Sequence, residues 1–357
     1  MRELVPPVPV RADLDLVEGY HSPQVDVAVR LNTNESPIPP PRAWVDAVRA
    51  ELESIEFHRY PDRRAWALRS ALAEVHGVRP EEVFCANGSN EVLQCLLLAF
   101  GGPGRSAAVY EPTYALHSHI ARVTGTGVAT GERLADFRID LDEVRRVSAE
   151  AAPVITFLCS PNNPSGRADP EEVVDRVLAL APGLVVVDEA YGQFCGWSAL
   201  SMVGAEDRLA VVRTFSKTWS MAAARLGYVV APASVVAALE QVALPYHLDT
   251  IKQVAGRLAL DYQTEMSTRV AATVEERGRL SAALGQLPVE SWPSDANFIL
   301  FRPLARRGED VWQGLLDRSV LVRNCSGWPR LEGCLRVTVG TPEENTAFLA
   351  ALSECLA

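Results

Sequence analysis

Asp188 follows the apolar run Val185-Val186-Val187 and opens the segment Asp188-Glu189-Ala190-Tyr191. An acid placed directly after a buried strand is costly unless a cation meets it or it caps the next helix. A second apolar run ends in Arg213-Thr214-Phe215-Ser216-Lys217, and Arg225 comes soon after, in Ala222-Ala223-Ala224-Arg225-Leu226-Gly227. Singly, these are a solvated lysine and a salt-bridge arginine. Together, a lysine among hydroxyls with an arginine nearby describes a phosphate pocket with an amine available for Schiff-base chemistry. A third run, Val154-Ile155-Thr156-Phe157-Leu158, ends in Cys159-Ser160-Pro161-Asn162-Asn163-Pro164-Ser165-Gly166, a turn stiffened by its prolines. The fourth candidate, Asn87-Gly88-Ser89-Asn90-Glu91, opens a helical pattern. Backbone N–H groups at a helix N-terminus hold anions, and glycine lets them approach closely.

These features converge on pyridoxal phosphate, a cofactor that needs a lysine for its aldehyde, a carboxylate for its ring nitrogen and donors for its phosphate. Asp188 is expected to keep that nitrogen protonated. Lys217 is expected to move a proton at the reacting carbon, its pKa lowered by Arg225 and by burial.

Short apolar runs at 107–110, 154–159, 184–188, 210–215 and 227–231, with helical patterns between them, predict a mostly parallel sheet covered on both faces. Ligands of such sheets bind beyond the carboxyl ends of the strands, where three of the four motifs fall. Helices are expected over 42–55, over 64–76 with Gly77 as the stop, and over 90–100. Near Leu244-Pro245-Tyr246 the rhythm changes. A long helical stretch over 250–285, strands near 297–301, 320–323 and 335–339, and helices over 309–318 and 342–355 predict a smaller α+β domain. The division expected is an N-terminal arm over 1–30, a large cofactor-binding domain over 31–245 and a small domain over 246–357.

With 48% apolar and 22% charged residues the chain is in the globular range, and its formal net charge of −11 opposes a nucleic-acid partner. The most apolar window, 92–100, is too short to span a membrane, and prolines at 6, 7 and 9 interrupt any signal-peptide core. A cytoplasmic protein is expected. The seven cysteines form no C-x-x-C pair and read as small core residues. His117-x-His119 is a weak metal signal without a completing cluster, so no metal is expected.

The chain resembles the PLP-dependent class I/II aminotransferases of fold type I, and within them the histidinol-phosphate aminotransferases. The resemblance rests on Arg30-Leu31-Asn32-Thr33-Asn34-Glu35, Arg59-Tyr60-Pro61, Ala86-Asn87-Gly88-Ser89-Asn90-Glu91, the turn at 160–166, Asp188-Glu189-Ala190-Tyr191, Arg213-Thr214-Phe215-Ser216-Lys217 and Gly333-Cys334-Leu335-Arg336-Val337-Thr338-Val339-Gly340-Thr341. It implies that Lys217 holds the cofactor covalently and that Asp188 pairs with its ring nitrogen. Asn163 and Tyr191 would bond the phenolic oxygen, and Tyr114 would stack on the ring. Ser89, Asn90, Thr214, Ser216 and Arg225 would hold the phosphate, with Tyr60 reaching it from the other subunit of a homodimer. Tyr20, Asn34, Arg323 and Arg336 would bind substrate, an amino donor and a 2-oxo acid in turn.

The chain departs from that pattern at Ser36, Ile38, Ala223, Asn324 and Asp249-Thr250. If Asp249 faced the substrate tail it would repel a phosphate, and the expected substrate would be an unphosphorylated or cationic amine. Two other readings share the resemblance: a PLP enzyme of another bond-breaking class, such as a phosphothreonine-type decarboxylase, and a non-catalytic sensor domain, which the acidity and the absence of an added DNA-binding segment oppose.

Overall fold

The alternating pattern folds into a seven-stranded sheet in the order Val83–Ala86, Gly227–Val230, Leu209–Thr214, Leu184–Asp188, Ile155–Cys159, Ser106–Glu111 and Gly127–Glu132. The computed structural model describes Val8, Arg11 and residues 24–204 and 206–357. Neighbouring strands are parallel except Gly227–Val230, which runs against both of its neighbours. The central strands are buried along their whole length, which is why they read as unbroken apolar runs. Val186 and Val212 pack with Leu93, Leu96 and Leu239 on one face. Val185, Val187 and Val211 pack with Val144, Val174 and Val177 on the other. Helices Ser89–Phe100 and Ala233–Val242 supply the first layer, and Leu141–Ala151 and Glu171–Leu180 the second.

A second sheet has the order Val29–Leu31, Val320–Asn324, Leu335–Thr338, Phe298–Pro303 and Val289–Ser291. Its apolar core is closed by Leu280 and Leu284 of helix Gln263–Leu284, Leu315 of Gly308–Asp317 and Phe348 and Leu352 of Pro342–Leu356. The start of the chain joins this sheet, since Val29–Leu31 pairs parallel with Val320–Val322. The arm expected through residue 30 therefore ends inside a strand. The helical stretch expected over 250–285 divides into Thr250–Ala259, a 3₁₀ turn Leu260–Tyr262 and Gln263–Leu284, with Tyr262 leaving the helical region at φ −110°, ψ 36°. Gly77 ends helix Trp66–His76 in the left-handed region, as its type predicts. Among the described residues no helix is long and apolar enough to cross a membrane.

Candidate active site

Asp188, Cys159 and Thr214 are the last residues of three adjacent parallel strands, so their side chains meet at one sheet edge. Val83–Ala86 lies antiparallel to the one reversed strand and thus runs with the parallel set, which brings Gly88 and Ser89 to the same edge. The reversed strand begins there, which brings Arg225. Two glycines make this convergence close. A Cβ on Gly227 would lie 2.3 Å from the Ser89 backbone nitrogen, and one on Gly88 would lie 2.8 Å from Arg225 Nη2. Only glycine lets the helix N-terminus, the strand start and the guanidinium occupy one corner.

The edge opens into a cavity of about 690 Å³, counting its mouth, lined by Asn34, Ser89, Asn90, Tyr114, Asn163, Asp188, Tyr191, Thr214, Ser216, Lys217, Arg225 and Arg336. One corner is a set of anion donors. Ser89 and Asn90 open a helix, and Arg225 Nη1 donates to Ser216 Oγ at 3.2 Å. The Ser216 backbone nitrogen donates to Thr214 Oγ1 at 3.1 Å. Tyr114 donates its hydroxyl proton to Asn90 Oδ1 at 3.1 Å.

Lys217 donates to the Thr33 carbonyl at 3.0 Å, and its Nζ sits 5.8 Å from the Tyr191 ring centroid. Burial is the main cause that pushes its pKa down to about 7, followed by Arg336; Glu35 opposes and Arg225 adds a smaller push. The larger cationic contribution is thus Arg336, where the sequence pointed to Arg225.

Asp188 is held from below by a residue the sequence offered only as a metal signal. His117 Nε2 lies 3.0 Å from Asp188 Oδ2, both side chains buried, and the Ala190 backbone nitrogen donates to Oδ1 at 3.1 Å. The imidazole is clamped parallel to Phe157 with centroids 4.7 Å apart and meets Tyr114 edge-on at 5.4 Å. Its Nδ1 is buried without a partner. A proton on Nε2, given to Asp188, leaves no buried N–H unmatched. The sequence carried no local signal for this contact, which joins segments 71 residues apart. Among the described residues no three His, Cys, Asp or Glu side chains group as a metal site.

Arg336 is buried, donating to the Asn163 Oδ1 and, at 2.9 Å, to the Asn32 carbonyl. Asn34 holds φ +56° and is buried. Its Nδ2 donates to the Tyr191 hydroxyl at 2.9 Å, and its Oδ1 accepts from Thr338 at 3.1 Å. Burial raises the Tyr191 phenol above its usual range, so it stays a hydroxyl.

Two expected residues sit apart from the cavity lining. Arg323 lies directly opposite Arg336 on the neighbouring antiparallel strand, its guanidinium 5.8 Å from the Trp328 ring. Tyr60 is 80% exposed and stacks on Tyr246, 4.5 Å between centroids. Tyr20 lies outside the described residues. Asp249 does not face the cavity of its own chain. It caps helix Thr250–Ala259, accepting from the Lys252 backbone nitrogen at 2.9 Å, with the Lys252 ammonium 2.9 Å from Oδ2. Asp and a small hydroxyl residue serve that capping task equally well, so the departure keeps the local structure.

An α/β frame with a lysine, a buried acid and an anion cup at one strand edge defines an enzyme of fold type I. The model for the family "aminotransferase class I and II" matches residues 26–352. Histidinol-phosphate aminotransferase of Frankia casuarinae is 45% identical over 364 residues, covering 98% of this chain and 90% of its own length. That of Thermobifida fusca is 46% identical over 352 residues, covering 97% and 95%. Among solved structures, histidinol-phosphate aminotransferase from Sinorhizobium meliloti in complex with pyridoxal-5′-phosphate superposes with a TM-score of 0.86 at 22% identity, covering 92% of this chain and 91% of that one. An L-threonine-O-3-phosphate decarboxylase from Porphyromonas gingivalis shares the fold at a TM-score of 0.80 and 22% identity, covering 92% and 99%. The chain belongs to the class I and II aminotransferase family, enzymes that transfer nitrogenous groups.

Proposed function

We propose that the chain is a pyridoxal-phosphate-dependent aminotransferase that exchanges the amino group between histidinol phosphate and 2-oxoglutarate, working as a cytoplasmic homodimer. The observation that carries the reading is the likeness, over nearly the whole chain, to relatives of that name. The residues present fit the cofactor: the corner that a Cβ on Gly88 would fill is ringed by N–H and hydroxyl donors and Arg225, the donor chemistry of a phosphate cup.

When bound, pyridoxal phosphate supplies an electron sink for the substrate carbon that loses its proton. The chain's own groups do the rest. Ser89, Asn90, Thr214, Ser216 and Arg225 would hold the phosphate. Asp188, kept in place by His117 and the Ala190 backbone, would pair with the ring nitrogen. Tyr191 receives a hydrogen bond from Asn34, which leaves its own proton to donate. Asn163 has its Oδ1 committed to Arg336, so its amide N–H₂ is what it offers a ligand. Lys217 would anchor the cofactor and, once displaced by the substrate amine, would take the substrate's proton and return it, burial favouring the neutral form of its amine. Arg336 lines the cavity and Arg323 stands opposite it on the neighbouring strand; as the resemblance implies, the pair would serve a phosphate ester in one half-reaction and a carboxylate in the other.

The test compares kcat/KM for histidinol phosphate and for histidinol, each with 2-oxoglutarate as acceptor. A preference for the ester of at least about tenfold is expected, and about 1.4 kcal/mol of differential binding suffices for it. Equal turnover of the two amines, or release of carbon dioxide from a phosphorylated amino acid in place of amine exchange, refutes the reading.

A further inference from the structure

Cys325 and Cys334 face each other across the end of a β-ladder. The register Arg323↔Arg336 and Asn324↔Leu335 continues to them, and the Cys325 backbone nitrogen donates to the Cys334 carbonyl at 3.0 Å. Directly opposed residues of an antiparallel pair have Cα atoms about 4.5–5.5 Å apart and side chains on one face. That separation lies within the range of about 4.4–6.8 Å that a disulfide spans. Both cysteines are free and wholly buried. They pack with Leu300, Leu331 and Phe137 in one small cluster, flanked by Trp292 and Trp328.

The cluster is a joint between the two sheets. Phe137 comes from the segment after strand Gly127–Glu132 of the seven-stranded sheet, whereas Leu300 and both cysteines belong to the five-stranded sheet and its loop. Between the cysteines the chain runs through successive turns: Trp328 donates its backbone N–H to Cys325, Leu331 to Trp328, and Cys334 to Leu331. The loop is anchored to the other side by Arg330, which donates to the Arg133 carbonyl and lies 3.4 Å from Glu132. Trp328, in the middle of the loop, sits against Arg323.

We propose that Cys325 and Cys334 are a redox site, closing into an intramolecular disulfide by exchange with a low-molecular-weight disulfide. In the first step one thiolate attacks a sulfur of the small disulfide, forming a mixed disulfide and releasing one small thiolate. In the second, the other cysteine gives up its proton and attacks the protein-bound sulfur, expelling the second small thiolate. Two protein thiols are oxidised, one small disulfide is reduced to two thiols, and no other reactant is needed. Arg302 favours the thiolate at Cys334 while burial disfavours it at both positions, so exchange waits on opening of the 326–333 loop. The bond ties the two ends of that loop and so holds Trp328, and with it Arg323, in one arrangement. This coupling rests on the assignment of Arg323 to the substrate anion made above.

The experiment uses the cofactor-loaded enzyme, incubated with oxidised glutathione, alkylated and digested with trypsin. Cleavage after Arg323, Arg330 and Arg336 places the two cysteines on separate peptides, 324–330 and 331–336. The expected product is these two peptides joined, two hydrogens lighter than their sum, lost on dithiothreitol treatment and absent from Cys334→Ser. Cys325 and Cys334 both recovered as alkylated thiols or as separate glutathione adducts, or linked to other cysteines, would overturn the redox site. A severalfold change in KM for the phosphorylated amine is expected on oxidation of the wild type, reversed by dithiothreitol and missing in Cys334→Ser. A joined peptide pair with unchanged KM would refute the coupling to Arg323 while leaving the disulfide and the proposed aminotransferase activity standing.

Discussion

Lys217 shows how burial rather than residue type makes an amine useful at neutral pH. The chain has two lysines, 217 and 252. With its pKa lowered from 10.5 to about 7, Lys217 is largely neutral above pH 7 and charged below it. In the cofactor-free protein its reaction with a carbonyl reagent, followed residue by residue by mass spectrometry, should therefore rise with pH to a midpoint near 7. The linkage runs in the same direction. An unfolded chain binds more protons at this site between about 7 and 10.5, so the cost of burying the amine is full below 7 and is relieved as pH rises through that window. The difference in unfolding free energy between the wild type and Lys217→Met should shift in favour of the wild type across that span. His117 belongs to the same scale. His117→Phe keeps the stacking volume and removes the donor to Asp188. Loss of one hydrogen bond to a buried carboxylate costs about 1–3 kcal/mol, measurable by denaturant unfolding, and cofactor retention on dialysis should weaken with it.

At the scale of elements, each strand end delivers one functional group because parallel strands share a direction. The reversed strand Gly227–Val230 adds the arginine that a purely parallel sheet would have put at the far edge. Helix starts do different tasks at different places. Ser89–Phe100 begins beneath the anion cup, whereas Thr250–Ala259 begins at an acid that only closes its own first turn. Asp249→Ala should therefore cost about 0.5–2 kcal/mol of stability, the usual value of an N-cap, and leave the ratio of kcat/KM for phosphorylated and unphosphorylated amines unchanged. A change in that ratio would return Asp249 to the substrate.

For the whole molecule, Tyr60 is exposed and stacks on the half-exposed Tyr246, and the proposed dimer would cover this pair. In the proposed dimer Tyr60 serves the partner's phosphate cup. Mixing Lys217→Ala subunits with Tyr60→Ala subunits after dissociation should then restore partial activity that neither variant has alone, because each mixed dimer contains one complete site. Mixtures no more active than their components would remove Tyr60 from the partner's site.

Much of this molecule was legible from residue order. Unbroken apolar runs report strands buried on both faces, and the acid, lysine and paired asparagines stand at the ends of such runs. So the mostly parallel sheet, and the gathering of Asp188, Asn163, Lys217 and Arg225 at its edge, were legible in residue order. What the tertiary structure decided is which groups touch. Val29–Leu31 is too short to carry a periodic signal, and its place in the second sheet depends on a partner almost three hundred residues away. His117 under Asp188, Arg336 as the chief cation acting on Lys217, and Cys325 against Cys334 are likewise meetings of distant segments. Local pattern encodes the burial of each face along its own strand, whereas a contact between strands depends on register and on packing that no single segment contains.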